Sequence, residues 1–299
     1  MMKLGKGAYL AVILTIGTMT CYLSSSTAPS PEQQTFASPW RAGRALFEAA
    51  KAGDEAKLLA LLGPEGKTLI VSGDPEQDKA DRQIFVAKYE HVHRLVKEPD
   101  GTVTLYLGSE NWPFPIPLVQ QNGAWYFDTN TGKQEILFRR IGKNELSAIQ
   151  ACHELVAAEK EHYAGAHPGE AGQYAPKFVS ASGQPDGLYH PVENGTPEIG
   201  PLLAQAGEAR TPFHGYYYRI LTRQGRHAPG GAKDYIVDGK MTGGFAFVAY
   251  PAQYRSTGVM TFLVNQDGTV YERDLGPKTD TIATSIKKFD PNPSWRKVK

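Results

Sequence analysis

The stretch FHGYYYRIL, Phe213 to Leu221, has the residue types best suited to binding chemistry. His214 precedes an alternating run in which Tyr216 and Tyr218 share one side and Tyr217 takes the other, the period of a β-strand. Arg219, Arg223, Arg226 and His227 follow as a local basic cluster. Tyrosine rings stack on sugars and peptides, and guanidinium forks grip carboxylates through paired hydrogen bonds. A plainer role suits the same residues, with the tyrosines packing a core and the arginines solvated. His214, Tyr216, Tyr218 and Arg219 are the candidate partner-binding residues of this stretch.

A second candidate is NWPFPIPLV, Asn111 to Val119, where three prolines alternate with Trp112, Phe114, Ile116 and Leu118. Proline has no backbone donor, so this segment is expected at a sheet edge or in a polyproline-like stretch. The alternation puts the apolar side chains on one face. That face either clips over the domain's own core or, through Trp112 and Phe114, forms a stiff aromatic ledge for a partner.

Catalytic and metal-binding patterns are not found. His91 and His93 would point about 200° apart on a helix, and His153 and His162 are nine residues apart, which is also a poor spacing for one face. Asp267-Gly268 reads as a hairpin turn, since the further acidic residues of a calcium loop are missing. There is no Gly-x-Ser-x-Gly elbow, phosphate loop or dinucleotide fingerprint. Cys152 lies in a helical pattern with Leu146, Ile149 and Val156 on one side, which points to a buried, inert thiol. No catalytic residue, metal or cofactor is expected, and a binding protein is favoured over an enzyme.

The elements that would position these residues follow from composition and period. With 299 residues, 41% apolar and 21% charged, the chain suits one large or two ordinary globular domains. A net charge of +1 gives no electrostatic reason to seek nucleic acid or anionic lipid. Lys3 and Lys6, the apolar run Ala8 to Ile16 and the small polar residues after it read as a signal peptide over 1–28. A retained anchor is the alternative, and only that would bring membrane contact. The protein is thus expected to be exported, in the bacterial periplasm or envelope, with another envelope protein as its partner.

Residues 29–37 read as a polar tether. Ser38 and Pro39 then open a helix, Gly53-Asp54 resets the chain for a second helix ending at Gly63-Pro64, and a third is expected from Gln77 to Val96. Strands are expected at Thr102–Gly108 and Gly123–Thr129. Gly142 and Asn144 suggest a break, with Asn144 capping a long helix to about Tyr163 and a domain boundary near 142. Strands at Gly215–Thr222, Gly243–Pro251, Gly258–Val264 and Thr269–Leu275 and a helix from Thr279 complete the chain. The fold class is α+β. An N-terminal domain, 38–142, sets helices on a small antiparallel sheet, and a C-terminal domain, 143–299, packs a long helix on a second antiparallel sheet.

Several stretches carry a family resemblance, among them KAGDEAKLLALLGPEG, WPFPIPLV, GAWYFDTNTGKQEIL, FHGYYYRIL and GVMTFLVNQDGTVYERDLG. In this order they resemble the bacterial exported family catalogued as domain of unknown function 2950. That resemblance implies no activity and no site residues. The C-terminal part, from KNELSAIQACHELVAAEKEHY through the strands, looks like type IV pilin-like heads, with the helix mid-chain and no prepilin leader at its start. This implies a head-like fold without filament assembly. The N-terminal part is similar in outline to cone-shaped domains of the nuclear transport factor 2 type, which implies a cone that could hold a small molecule or an active site. The preferred expectation is a non-catalytic envelope binding or scaffold protein; the alternative is a small-molecule binder or enzyme using an N-terminal pocket.

Overall fold

A computed structural model describes residues 29–30, 32–71, 75–165, 172–181, 186–189, 199–208 and 211–299. The signal-peptide reading over 1–28 lies outside the described residues. The chain divides into two compact units, Met1–Gly132 and Lys133–Lys299.

The first unit opens with α1 (Pro39–Ala52), capped by the Ser38 hydroxyl, which accepts from the Arg41 N–H. Gly53 closes the helix at φ 65°, a left-handed value that glycine adopts without strain. The Asp54 carboxylate then caps α2 (Glu55–Leu62) by accepting from the Lys57 N–H at 2.9 Å. After the short α3 (Lys67–Ile70), α4 runs Pro75–His91. The expected third helix therefore stops short of Val96. His93–Lys97 forms β1 instead, because all five residues find antiparallel partners on β2 (Val103–Leu107) and pairing overrides a helical pattern.

The proline-rich segment continues along the other edge of β2. Trp112–Pro113 is β3, paired with Leu107 and Tyr106, and the Phe114 N–H donates to the Leu105 carbonyl at 2.7 Å. Phe114 supplies a backbone donor beside β2 that the neighbouring prolines lack, which is how this segment can lie there. β4 (Leu118–Gln121) and β5 (Ala124–Phe127) complete a sheet ordered β1-β2-β4-β5 with β3 beside β2. Ile116 and Leu118 are buried with Leu46, Leu58, Leu61, Val103 and Phe127, so the segment does cover its own core. Residues Gln33 to Phe36, read as tether, are fastened to this unit. Phe36 exchanges backbone bonds with Trp125, and the Gln33 amide donates to the Leu61 and Phe127 carbonyls.

Helix α5 (Thr129–Tyr163) is continuous, so the break expected at Gly142 and Asn144 does not occur. Its N-terminus is capped by Asp128, which accepts from the Thr131 N–H and hydroxyl. Asn144 serves elsewhere, its amide donating to the Thr257 carbonyl at 2.9 Å. Its neighbour Glu145 accepts from the Val259 and Met260 N–H groups. These two residues seat a strand connection of the second unit rather than starting a helix.

In the second unit β6 (Lys177–Val179) and β7 (Gly187–Tyr189) pair in parallel, followed by α6 (Pro201–Glu208), β8 (Tyr216–Leu221) and the two-residue strands β9 (Arg223–Gln224), β10 (Lys233–Asp234), β11 (Ile236–Val237) and β12 (Lys240–Met241). Then come β13 (Ala246–Pro251), β14 (Met260–Asn265), β15 (Tyr271–Asp274), α7 (Thr279–Ser285) and β16 (Arg296–Lys297). The main sheet is ordered β16-β15-β14-β13-β8, all antiparallel. Every residue of β13 is buried, as expected of a strand covered on both faces. Cys152, Leu155 and Ala148 of α5 join Tyr216, Tyr218 and Phe262 in one core, while Arg219 on the opposite side of β8 reaches α7. Among the described residues no helix is long and apolar enough to cross a membrane.

Candidate functional site

The turn before β8 positions the site. Phe213 and Tyr216 exchange backbone hydrogen bonds of 2.9 and 3.1 Å around His214 (φ 49°) and Gly215 (φ 74°), a two-residue hairpin turn with both central φ values positive. Gly215 suits its place, since a side chain there would press on the Asn144 amide and Thr257. Histidine in the left-handed region is uncommon and mildly strained. The consequence is that His214 stands exposed beside α5, its ring 4.1 Å from that of Phe213.

Between this turn and α5 lies an open cleft of about 520 Å³, lined by Lys143, Leu146, Ser147, Gln150, Ala151, Glu154, Phe213 and His214. The helical residues recur every three or four positions, so one face of α5 supplies the floor. Leu146 is 70% exposed, a large apolar side chain standing in solvent, whereas Ala151 is 2% exposed and forms a recess. Gln150 donates to the Glu154 carboxylate at 3.1 Å. The cleft offers apolar contact, a cation, a carboxylate, amide and hydroxyl groups and an imidazole. That set suits recognition of a polar-edged apolar surface.

Of the residues proposed from sequence, only His214 lines this cleft. Tyr216 and Tyr218 are buried, with the Tyr216 hydroxyl donating to the Met260 carbonyl at 2.9 Å. Burial, followed by nearby groups including Cys152, pushes both phenols up from their ordinary pKa. Arg219 donates to the Ala283, Thr284 and Ile286 carbonyls at 3.0, 3.1 and 3.3 Å, closing the C-terminal end of α7. Tyr216 and Arg219 thus have hydrogen-bond partners of their own, and Tyr218 is packed in the core. Burial holds the Cys152 thiol protonated, pushed up to about 12.

Trp112 and Phe114 stand in the first unit, away from His214 in the chain. Trp112 is 39% exposed, and Phe114 rests half-buried 5.6 Å from the Phe85 ring and 6.3 Å from the Phe127 ring. The space behind them is filled. Tyr89 stacks between Phe47 at 4.4 Å and His93 at 3.7 Å, and Leu95, Leu105, Leu107 and Phe114 pack around it. His93 Nδ1 donates to the Tyr89 carbonyl at 2.8 Å, since a carbonyl can only accept.

The rest of the basic cluster takes another place. Gln224 forms a parallel bridge with Phe289, bringing His227 to Asp290, a carboxylate that Lys288 also pairs with. His227 Nδ1 donates to the Asp290 carboxylate at 3.0 Å. Burial would raise the Asp290 pKa, but the His227 N–H groups and Lys288 outweigh it and hold the carboxyl below its ordinary value. The sequence reading missed Lys143, Leu146, Gln150 and Glu154. Their spacing is visible in the sequence, but the helical pattern puts Leu146 on the apolar side.

Fold and cleft define an α+β protein with two antiparallel-sheet units and an open, amphipathic cleft in the second. Residues 33–298 match the family described as protein of unknown function (DUF2950), and the chain belongs to it. No curated protein and no solved structure matches the chain.

Proposed function

We propose that this is an exported, non-catalytic binding or scaffold protein of the bacterial envelope, acting through the cleft between α5 and the Phe213–His214 turn. The observation that carries the proposal is the exposed Leu146 beside a recessed Ala151, framed by charged and polar groups and by a strained histidine. Exposed apolar surface with a polar rim is the usual signature of an interaction site. Export is supported by Lys3, Lys6 and the apolar run after them. A long helix packed on an antiparallel sheet also supports the pilin-head-like reading of the second unit. The alternative, a small-molecule site in the first unit, is disfavoured by the aromatic and aliphatic side chains that fill its interior and by the small size of the pocket left beside Gln33, Pro64 and Asp128, about 120 Å³.

The test is in-cell photocrosslinking from a probe at Gln150, with adducts identified by mass spectrometry. A recurrent protein adduct, lost on Leu146→Asp and kept on Trp112→Ala/Phe114→Ala, supports the cleft. Loss on the Trp112/Phe114 change alone would move the site to the aromatic ledge, and no adduct at all would sink the binding role.

A further inference from the structure

We propose that a second copy of the chain occupies the cleft, with two α5 helices packed antiparallel about a two-fold axis that crosses their exposed faces at the level of the Ala148–Ile149 peptide. This deepens the reading of the cleft as a binding surface and rests on it.

The six helical residues of the cleft are self-complementary. About the midpoint between Ala148 and Ile149, Lys143 is as far on one side as Glu154 on the other. Leu146 and Ala151 are related in the same way, as are Ser147 and Gln150. When two identical helices pack antiparallel about that point, each residue faces the one related to it in the other copy. Each layer then pairs groups that fit. Lysine meets carboxylate, a protruding leucine meets a recess floored by alanine, and a hydroxyl meets an amide.

An isologous interface demands this relation, because one patch must complement itself. Every favourable pair is made twice across the axis. A parallel pairing in register would instead set Lys143 against Lys143 and Glu154 against Glu154 and leave both recesses empty. Lys143 and Glu154 are both exposed, and among the described residues neither is paired with a charge of opposite sign. Phe213 and His214 wall the recess that receives the partner's leucine.

The contact is modest in size. Eleven residue steps along a helix span about 16 Å, and one helical face of that length buries less than a standard interface. The dimer is therefore weak and concentration-dependent.

Charge exchange tests this geometry. Sedimentation velocity of the full chain from about 1 µM to about 200 µM should show reversible dimerisation. Lys143→Glu or Glu154→Lys alone turns two attractive pairs into two repulsive ones and should weaken association by about tenfold or more. Mixing the two single variants should restore a heterodimer, since one face is then wholly acidic and the other wholly basic at these positions. The double variant should self-associate again. Leu146→Ala should weaken the dimer without changing the salt dependence. Circular dichroism checks that these surface variants stay folded.

A chain that stays monomeric throughout overturns the proposal, as do single reversals that dimerise like the parent or a mixture that fails to rescue. The broader reading fails separately. A monomeric chain whose Gln150 adduct to a different protein is lost on Leu146→Asp keeps the cleft and rejects the second copy. A chain that neither dimerises nor gives any adduct rejects both.

Discussion

Replacing Arg219 with methionine tests whether this arginine is a structural clamp or a partner-binding group. Its guanidinium donates to the Ala283 and Thr284 carbonyls of α7 at 3.0 and 3.1 Å and to the Ile286 carbonyl just past the helix at 3.3 Å. The Ala283 and Thr284 carbonyls also accept from the Ile286 N–H at 3.1 Å and the Lys287 ammonium at 3.4 Å, each oxygen having two lone pairs, and a cation there also meets the negative end of the helix dipole. Hydrogen bonds to a charged group contribute about 1.5 to 3 kcal/mol each. Arg219 is only half-buried, so the low end applies to the two shorter bonds and little to the third. The sum is about 3 kcal/mol, which corresponds to roughly 100-fold in the opening equilibrium of α7. Hydrogen exchange of the full chain, followed by mass spectrometry, should show Thr279–Ser285 losing about that much protection while the first unit is unchanged. Arg219→Lys should recover only part of it, because a single ammonium cannot span three carbonyls. If α7 keeps its protection in the methionine variant and a crosslinked partner is lost, the clamp argument is wrong and Arg219 is a binding residue.

Other expectations are simpler. His214→Asn should leave stability unchanged or slightly raised, because asparagine accepts a left-handed φ more readily, while His214→Val should cost about 1 to 2 kcal/mol in denaturant unfolding. Cys152 should resist alkylation at neutral pH in the folded chain and react freely once denatured, as its thiol sits near 12 and is buried. Asp290 has a folded pKa below its unfolded one, so its contribution is complete above about pH 4 and lost as pH falls through the folded value. Asp290→Asn should accordingly be destabilising near neutrality, and its difference from the parent should vanish in strong acid. Gly207→Ala should destabilise by about 1 to 3 kcal/mol, since a methyl there would overlap the Phe178 ring.

The local signals that the sequence carries are those that need no distant partner. Ser38-Pro39 and Gly53-Asp54 opened and closed helices as expected, because capping satisfies backbone groups within a few residues. The strands around Tyr216–Leu221, Ala246–Pro251, Met260–Asn265 and Tyr271–Asp274 were legible from alternation or apolar runs, and Gly268 (φ 76°) made the turn expected of Asp267-Gly268. Family membership was legible too, since long stretches match in order.

What the sequence left open depended on which surface each element meets. His93–Lys97 reads as the end of a helix until β2 supplies its backbone partners. Gly142 and Asn144 read as a break until the Thr257 carbonyl takes the Asn144 amide. Tyr216, Tyr218 and Arg219 have the chemistry of a binding site, and only packing shows that two enter the core and the third closes α7. Leu146 has the chemistry of a core residue, and only packing leaves it exposed beside Ala151. Residue type and period fix the local conformation of a segment. Burial is settled by neighbours far away in the chain, and here burial decides which residues remain available to bind.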